Sequence, residues 1–199
     1  MVVMVRRVAA GAVLVLASVF VVGCASNNTD LPSLGGTQLS GPKGVAQSPE
    51  QQATGGAMEA VTRYYVVLSR VLTGGDEAEF ETVVGPDYLD PLKRELGALR
   101  APGVTITGKV SVAGSPDPSR VVAPQDSDKN PIPGEAQVEL RVCEDRTQLK
   151  VTGAPAQAVG PQTRLRRFQL INTAWPDPKT WKIARQYVPF QDTSCDSLY

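Results

Sequence analysis

The sequence predicts an α+β fold in which N-terminal helices lie against a curved antiparallel sheet. Two observations lead to this fold class. The spacing of apolar residues changes from the helical period to the strand period near Val104, and the helical segments all precede the strands. Helices followed by a run of strands are typical of α+β domains. A signal peptide (1–23) and a flexible, disordered stem (24–56) are expected before a single domain (57–199).

The first predicted helix begins near Ala57 and ends at Gly74-Gly75. Asp76 and Glu79 have the spacing of a helix cap and predict a short second helix. Asp90-Pro91 predicts the start of a third, because proline is favoured in the first helical turn. The first helix carries two apolar stripes and is expected to be mostly buried; they are Met58, Val61, Tyr65, Leu68 and Leu72, and Ala60, Tyr64, Val67 and Val71.

The strands are predicted from alternation of apolar and polar residues. The first runs from Val104 to Val112, with an irregularity at Gly108. Residues 114–134 contain five prolines and are expected to be an exposed connection, with at most a short strand at Val121-Val122. The next strand contains Val138, Leu140 and Val142, turns at 144–146 and returns through Leu149 and Val151. The last two strands are expected at 163–173 and 180–188.

The N-terminal segment has the pattern of an export signal with a lipid-attachment site. Arg6 and Arg7 precede an uncharged apolar stretch from Val8 to Val22, which ends at Gly23-Cys24. As a helix this stretch reaches about 22 Å, short of a hydrocarbon core of about 30 Å, so a permanent span is not expected. A transmembrane helix and an ordinary cleaved signal with an incidental cysteine are the alternatives.

The run Val21-Val22-Gly23-Cys24 resembles the lipobox of bacterial lipoproteins, where the signal is cut before the cysteine and the thiol carries a diacylglyceryl group. The resemblance implies attachment to the extracytoplasmic face of the cell membrane through Cys24. Two acyl chains anchor a protein stably in a membrane, whereas one chain gives only marginal membrane binding. The polar residues 25–56 predict a flexible stem that spans about 30 Å.

Composition excludes several classes of function. Removal of residues 1–23 takes away two of the 20 basic residues and none of the 20 acidic ones, which leaves a formal charge of −2. With this nearly neutral charge there is no electrostatic reason to expect binding to nucleic acid or to anionic lipid. Histidine is absent, which removes the commonest general base and metal ligand. We therefore expect no metal, no cofactor and no catalytic residue.

Cys143 and Cys195 are the two cysteines downstream of Cys24. An exported chain meets an oxidising environment, so we predict a disulfide between them. A disulfide that closes the loop between residues 143 and 195 stabilises the fold by at most about 4 kcal/mol in the chain-entropy model. Two unpaired thiols are the alternative.

The order of the elements resembles the nuclear transport factor 2-like, cystatin-like α+β cone, especially exported members of that superfamily in actinobacteria. In such relatives the strand cysteine and the tail cysteine are commonly bridged. The Pro-rich segment 114–134 departs from a compact meander. The likeness covers about residues 57–196 and is carried by Tyr64-Tyr65, Leu68, Gly75-Asp76, the run Val138 to Asp145, Trp181-Lys182-Ile183 and Cys195.

This superfamily contains enzymes, ligand carriers and interaction domains, so the resemblance does not choose among functions. Tyr65, Trp181 and Tyr187 are expected in the core or along a possible pocket. The acids Glu139, Glu144 and Asp145 are interpreted as solvated or hairpin residues. Arg164, Arg166 and Arg167 are interpreted as a solvated strand face, with binding of an anionic envelope polymer as the alternative.

Two hypotheses of function follow. The first is a non-catalytic surface lipoprotein that contacts an envelope protein or an apolar ligand. The second is an exported enzyme, similar to polyketide cyclases and ketosteroid isomerases, which uses a carboxylate base inside the cone. The second predicts a buried acid with a raised pKa in an open pocket. A lysogen-expressed lipoprotein that blocks a phage receptor is compatible with this architecture, but no residue points to it.

Overall fold

The first helix, α1 (Pro49–Leu72), begins inside the segment expected to be a flexible stem. The Ser48 hydroxyl accepts a hydrogen bond from the N–H of Gln51, and the Gln51 side chain accepts one from the N–H of Ser48. Pro49 occupies the first helical position, where its missing N–H costs nothing. The predicted domain start at Ala57 is therefore wrong. The capping box Ser48-Pro49-Glu50-Gln51 can be recognised in the sequence and marks the start of α1.

The computed structural model describes residues 47–155, 159–187 and 195. The predicted signal peptide, Cys24 and stem residues 25–46 lie outside the described residues. All the described residues belong to one compact unit, 36–199. None of their helices has the length and apolar character needed to cross a membrane.

The remaining helical segments follow α1 directly. Asp76 caps a short 3₁₀ helix, Glu77–Thr82, which buries Phe80. The second α-helix, α2 (Pro86–Leu96), begins after Gly85, so the predicted start at Asp90-Pro91 is wrong and Pro91 lies inside the helix. Tyr88, Leu92 and Leu96 are its buried residues. Their spacing of four shows that the apolar stripe already begins before Asp90.

The main sheet has four antiparallel strands in the order β2 (Ser111–Val122), β3 (Gly134–Asp145), β5 (Thr163–Trp175) and β6 (Lys182–Tyr187). Helix α1 contacts β2, β3 and β6. The predicted α+β class with an antiparallel sheet is confirmed. The core contains both predicted stripes of α1, apart from the partly buried Met58, and one face of the sheet, which carries Val138, Leu140, Val142, Phe168, Leu170 and Ile183.

A second, two-stranded sheet pairs β1 (Thr105–Thr107) with β4 (Lys150–Thr152). The strand predicted over 104–112 is therefore broken. Gly108, at its centre, has a φ of +91°, and a Cβ there would lie 1.9 Å from the carbonyl oxygen of Gln148. The predicted return of β3 through Leu149 and Val151 is wrong, since this segment pairs with β1 and the sheet neighbours of β3 are β2 and β5.

The Pro-rich segment forms much more strand than expected, because β2 runs through Pro116 and Pro118 to Val122. Strand β2 lies at the edge of the sheet, where a residue without an N–H is tolerated. The register shifts between Ala113 and Asp117, and again between Pro118 and Arg120. The exposed connection is thus limited to residues 123–133.

The last two strands are close to their predicted positions. Strand β5 extends to Trp175, and a short 3₁₀ helix, Pro178–Thr180, delays the last strand to Lys182. Residue 188 lies outside the described residues. The predicted disulfide between Cys143 on β3 and Cys195 is confirmed.

Candidate functional site

Glu144 is an acidic side chain inside the core. It lies near the end of β3, in phase with Leu140 and Val142, and is 1% exposed. The interpretation of Glu144 as a solvated or hairpin residue is therefore wrong. The hairpin was expected to begin at Glu144, whereas β3 continues through it to Asp145 and keeps its side chain on the buried face.

Three guanidinium groups hold the Glu144 carboxylate. Its Oε1 accepts hydrogen bonds from Nε of Arg146 and Nε of Arg164, both at 2.6 Å. Its Oε2 accepts from Nε of Arg166 at 3.4 Å and from the Tyr65 hydroxyl at 3.3 Å. Arg164 lies directly opposite Glu144 on β5, and Arg166 lies two residues further along the same strand. The sheet register therefore brings these charges together.

Helix α2 adds a second carboxylate. Oε1 of Glu95 accepts a hydrogen bond from Nη2 of Arg166 at 2.6 Å and lies 3.7 Å from Nη2 of Arg164. We call Glu95, Glu144, Arg146, Arg164 and Arg166 the arginine cluster. Three positive and two negative side chains give it a formal charge of +1.

The arginine cluster is mostly buried and reaches solvent on one side. The side chains of Arg146, Arg166 and Glu144 are 5%, 9% and 2% exposed, whereas those of Arg164 and Glu95 are 18% and 34% exposed. The prediction that these arginines lie on a solvated strand face is thus wrong for Arg166, which is buried, and for Arg164, which is largely buried. Arg167 does lie on the opposite, exposed face, where it pairs with Glu139 and lies 5.0 Å from the centre of the Tyr187 ring.

Local electrostatics keep the groups around the cluster in one protonation state. Burial by itself lowers the pKa of Arg166, but the carboxylates of Glu144 and Glu95 outweigh it and raise that pKa above its usual value. Burial is the main cause that raises the pKa of Tyr64, Tyr65 and Tyr88. Tyr65 is therefore a neutral hydrogen-bond donor to Glu144.

Several guanidinium nitrogens remain available. Nη1 of Arg146 donates to the carbonyl oxygen of Val159 at 3.1 Å. No described residue accepts a hydrogen bond from Nη2 of Arg146, Nη1 of Arg166 or either terminal nitrogen of Arg164. The cluster thus combines fixed guanidinium groups with free donors.

The three aromatic residues predicted for the core or a possible pocket lie in separate places. Tyr65 contacts the arginine cluster. Trp181 is in the core, with its ring 6.3 Å from that of Trp175. Tyr187 is partly buried on the opposite face of the sheet. These side chains therefore do not line one common site.

The other two strand acids differ from each other. Glu139 is buried, contrary to expectation, because Arg167 on the neighbouring strand covers and pairs with it. Asp145 is half-buried and accepts a hydrogen bond from the N–H of Thr147 at 2.8 Å, as in a strand-end turn. Among the described residues, neither carboxylate makes a hydrogen bond or ion pair with the arginine cluster.

Sequence reasoning missed Glu95 and Arg146. For the rest of the cluster a signal was present, because Glu144 is in phase with Val138, Leu140 and Val142, and Arg166 with Phe168 and Leu170. A charged residue in the apolar phase of a strand indicates a buried charge that needs partners. Within the described part of the chain, no group of three or more His, Cys, Asp or Glu side chains is arranged to hold a metal ion.

No family model matches the chain, and no curated protein matches it. Among solved structures, the chain is similar to the crystal structure of the intermembrane space region of the chloroplast protein ARC6. The TM-score is 0.35 and the identity 16%, over 66% of this chain and 92% of that chain. A likeness at this level assigns no function, so the function is argued from the residues.

Proposed function

We propose that this protein is a lipoprotein of the extracytoplasmic membrane face whose cone-like α+β domain is a non-catalytic binding module of the cell envelope. In this proposal residues 1–23 are the signal peptide, Cys24 carries the lipid, and the stem before Ser48 is the tether. The observation that carries it is the distribution of the three cysteines. Cys143 and Cys195 are bridged, which leaves Cys24, directly after Gly23, as the remaining thiol.

The disulfide supports an exported location. Such bonds persist in oxidising compartments and are rare in the cytosol. Both Cys143 and Cys195 are buried, and 52 residues separate them along the chain. This bridge joins strand β3 to the tail and is part of the fold, as expected of a structural disulfide in a secreted domain.

The arginine cluster favours binding over catalysis by a carboxylate base. A general base in an apolar pocket needs a carboxylate that is free to take a proton. Both oxygens of Glu144 instead accept hydrogen bonds, from three guanidinium groups and one hydroxyl. In this arrangement the Glu144 carboxylate compensates the guanidinium charges of a buried site. The expected partners are an envelope protein or an apolar ligand.

Fatty-acid labelling of the protein in a bacterial host tests the anchor. We expect the wild type to incorporate an alkyne-tagged palmitate and to enter the detergent phase of a Triton X-114 extraction. The variant Cys24→Ser should lose both properties. The control Cys143→Ser should keep the label, because its lipidation site is intact. An unlabelled wild type in the aqueous phase would refute the proposal.

A further inference from the structure

The arginine cluster carries one positive charge more than its own carboxylates neutralise. Arg146, Arg164 and Arg166 face Glu144 and Glu95, and four of these five side chains are less than one-fifth exposed. An unpaired charge in such a site is costly, because little water is present to solvate it. A bound anion would complete the charge balance.

The hydrogen-bond pattern orients the guanidinium groups for such an anion. Each of the three arginines uses its Nε to hold Glu144, which fixes the plane of the group. Arg164 makes no other hydrogen bond among the described residues: its Nη1 is unbonded, and its Nη2 has only the Glu95 carboxylate, 3.7 Å away. We call the edge formed by these two terminal nitrogens the free edge, because it holds no hydrogen-bond acceptor. Two parallel N–H groups on one guanidinium edge match two oxygens of a carboxylate or phosphate.

Arg164 lies on the side of the cluster that reaches solvent. The side chains of Arg164 and Glu95 are the least buried of the cluster, at 18% and 34% exposed. Gly160 lies beside this edge, and a Cβ built on it would be 3.8 Å from Nη1 of Arg164. The glycine at position 160 therefore adds no side-chain atom next to this nitrogen.

We infer that the arginine cluster binds the oxyanion of a small extracytoplasmic ligand, a carboxylate or phosphate group held by the free edge of Arg164. Arg146 and Arg166, which bind the same Glu144 carboxylate as Arg164, add positive charge to the site. This inference deepens the proposed binding role and rests on it, but it does not depend on the lipid anchor.

Anion titration of the purified full-length protein in detergent tests the site. Inorganic phosphate and sodium acetate are the two probes, each added at constant ionic strength against a sodium chloride reference. Calorimetry measures the affinity, and NMR spectra of the arginine side-chain N–H groups locate the site. We expect phosphate or acetate to bind with a Kd of about 1 mM or below and to shift the N–H signal of Arg164. The probe that binds identifies the headgroup.

Two variants make the test specific. Arg164→Gln should weaken binding at least about tenfold, since it removes both the charge and the paired donors. Arg164→Lys keeps the positive charge opposite Glu144 that Arg164→Gln removes, and it should still weaken binding, because lysine lacks the planar fork. The control Arg141→Gln, which breaks the exposed pair with Asp117 on the other face of the sheet, should bind like the wild type.

The outcomes separate this inference from the proposed function. Absence of binding to both probes, or wild-type affinity in both Arg164 variants, would overturn the anion site. Equal weakening in Arg141→Gln would also overturn it, because binding would then follow overall charge. If palmitate labelling succeeds while the titration fails, the lipoprotein proposal stands without the anion site; the reverse result leaves the anion site without the anchor.

Discussion

Gly56 lies against the indole ring of Trp181, and the space between them does not accommodate a side chain. A Cβ at position 56 would be 2.5 Å from Nε1 and 2.8 Å from Cδ1 of the indole. Trp181 is 1% exposed, and its Nε1 has no hydrogen-bond partner in the described part of the chain. The glycine in mid-helix thus lets α1 approach the aromatic pair of Trp175 and Trp181 closely.

Alanine substitutions at the two neighbouring glycines of α1 should have opposite effects. Gly56→Ala should destabilise the protein by about 1–3 kcal/mol, because overpacking against Trp181 outweighs the helix propensity of alanine. Gly55→Ala should stabilise it by about 0.5–1 kcal/mol, since nothing lies within 4 Å of the added Cβ. Urea unfolding measures both. A stabilising Gly56→Ala would show that Trp181 does not occupy this position.

Glu144→Gln should be strongly destabilising. The variant leaves three guanidinium groups around a neutral side chain in a buried site, and breaking such a pair typically costs about 3–5 kcal/mol. The matched control Asp117→Asn breaks an exposed pair with Arg141 and should cost less than about 1 kcal/mol. Denaturant midpoints compare the two. Similar small losses in both variants would contradict the buried cluster.

The double variant Cys143→Ser/Cys195→Ser should lose about 2–4 kcal/mol of stability, since the unfolded chain regains the freedom that the bridge removes. Unfolding with and without reductant should reproduce this difference in the wild type. In peptide mass spectrometry, alkylation of the denatured, non-reduced protein should modify neither cysteine. Modification of both thiols would show that the bridge does not form.

Alkaline pH should destabilise the protein through its buried tyrosines. Burial raises the pKa of Tyr64 and Tyr65 well above the usual 10.0, so the folded state keeps protons that the unfolded state releases. Stability is therefore fully present below about pH 10 and is lost as the pH rises above it.

Tyrosinate absorbance and circular dichroism, followed together, check this expectation. Tyr64, Tyr65 and Tyr88 should ionise only as the fold is lost. Tyr65→Phe should show a shallower loss of stability with pH, because one buried titrating group is removed. Ionisation of all the tyrosines with a native dichroism spectrum would contradict their burial.

Local patterns predicted the elements whose signals lie within one segment. The two stripes of α1 identified its buried residues, and alternation identified β3 and most of β5. The start of α1 at Ser48-Pro49 was also legible, because a capping box is a signal of four consecutive residues. The disulfide followed from compartment chemistry and the small number of cysteines.

Structural features that depend on distant parts of the chain could not be predicted from local patterns. Pro116 and Pro118 are compatible with a strand only because β2 has a neighbour on one side. Strand β4, with Val151 at its centre, pairs with β1, although β3 is closer in sequence. Periodicity gives the type of an element and its buried face, but it does not name the element that lies beside it.

The sequence by itself determined the α+β class, the apolar faces and the pairing of Cys143 with Cys195, because each depends on local period or on residue counts. The tertiary structure alone decided which partners surround Glu144, namely Arg146, Arg164 and Arg166. The physical reason is that a buried charge is tolerated only where partners converge on it. That convergence depends on the register of β3 with β5 and on the position of Glu95 on α2, which are contacts between distant parts of the chain.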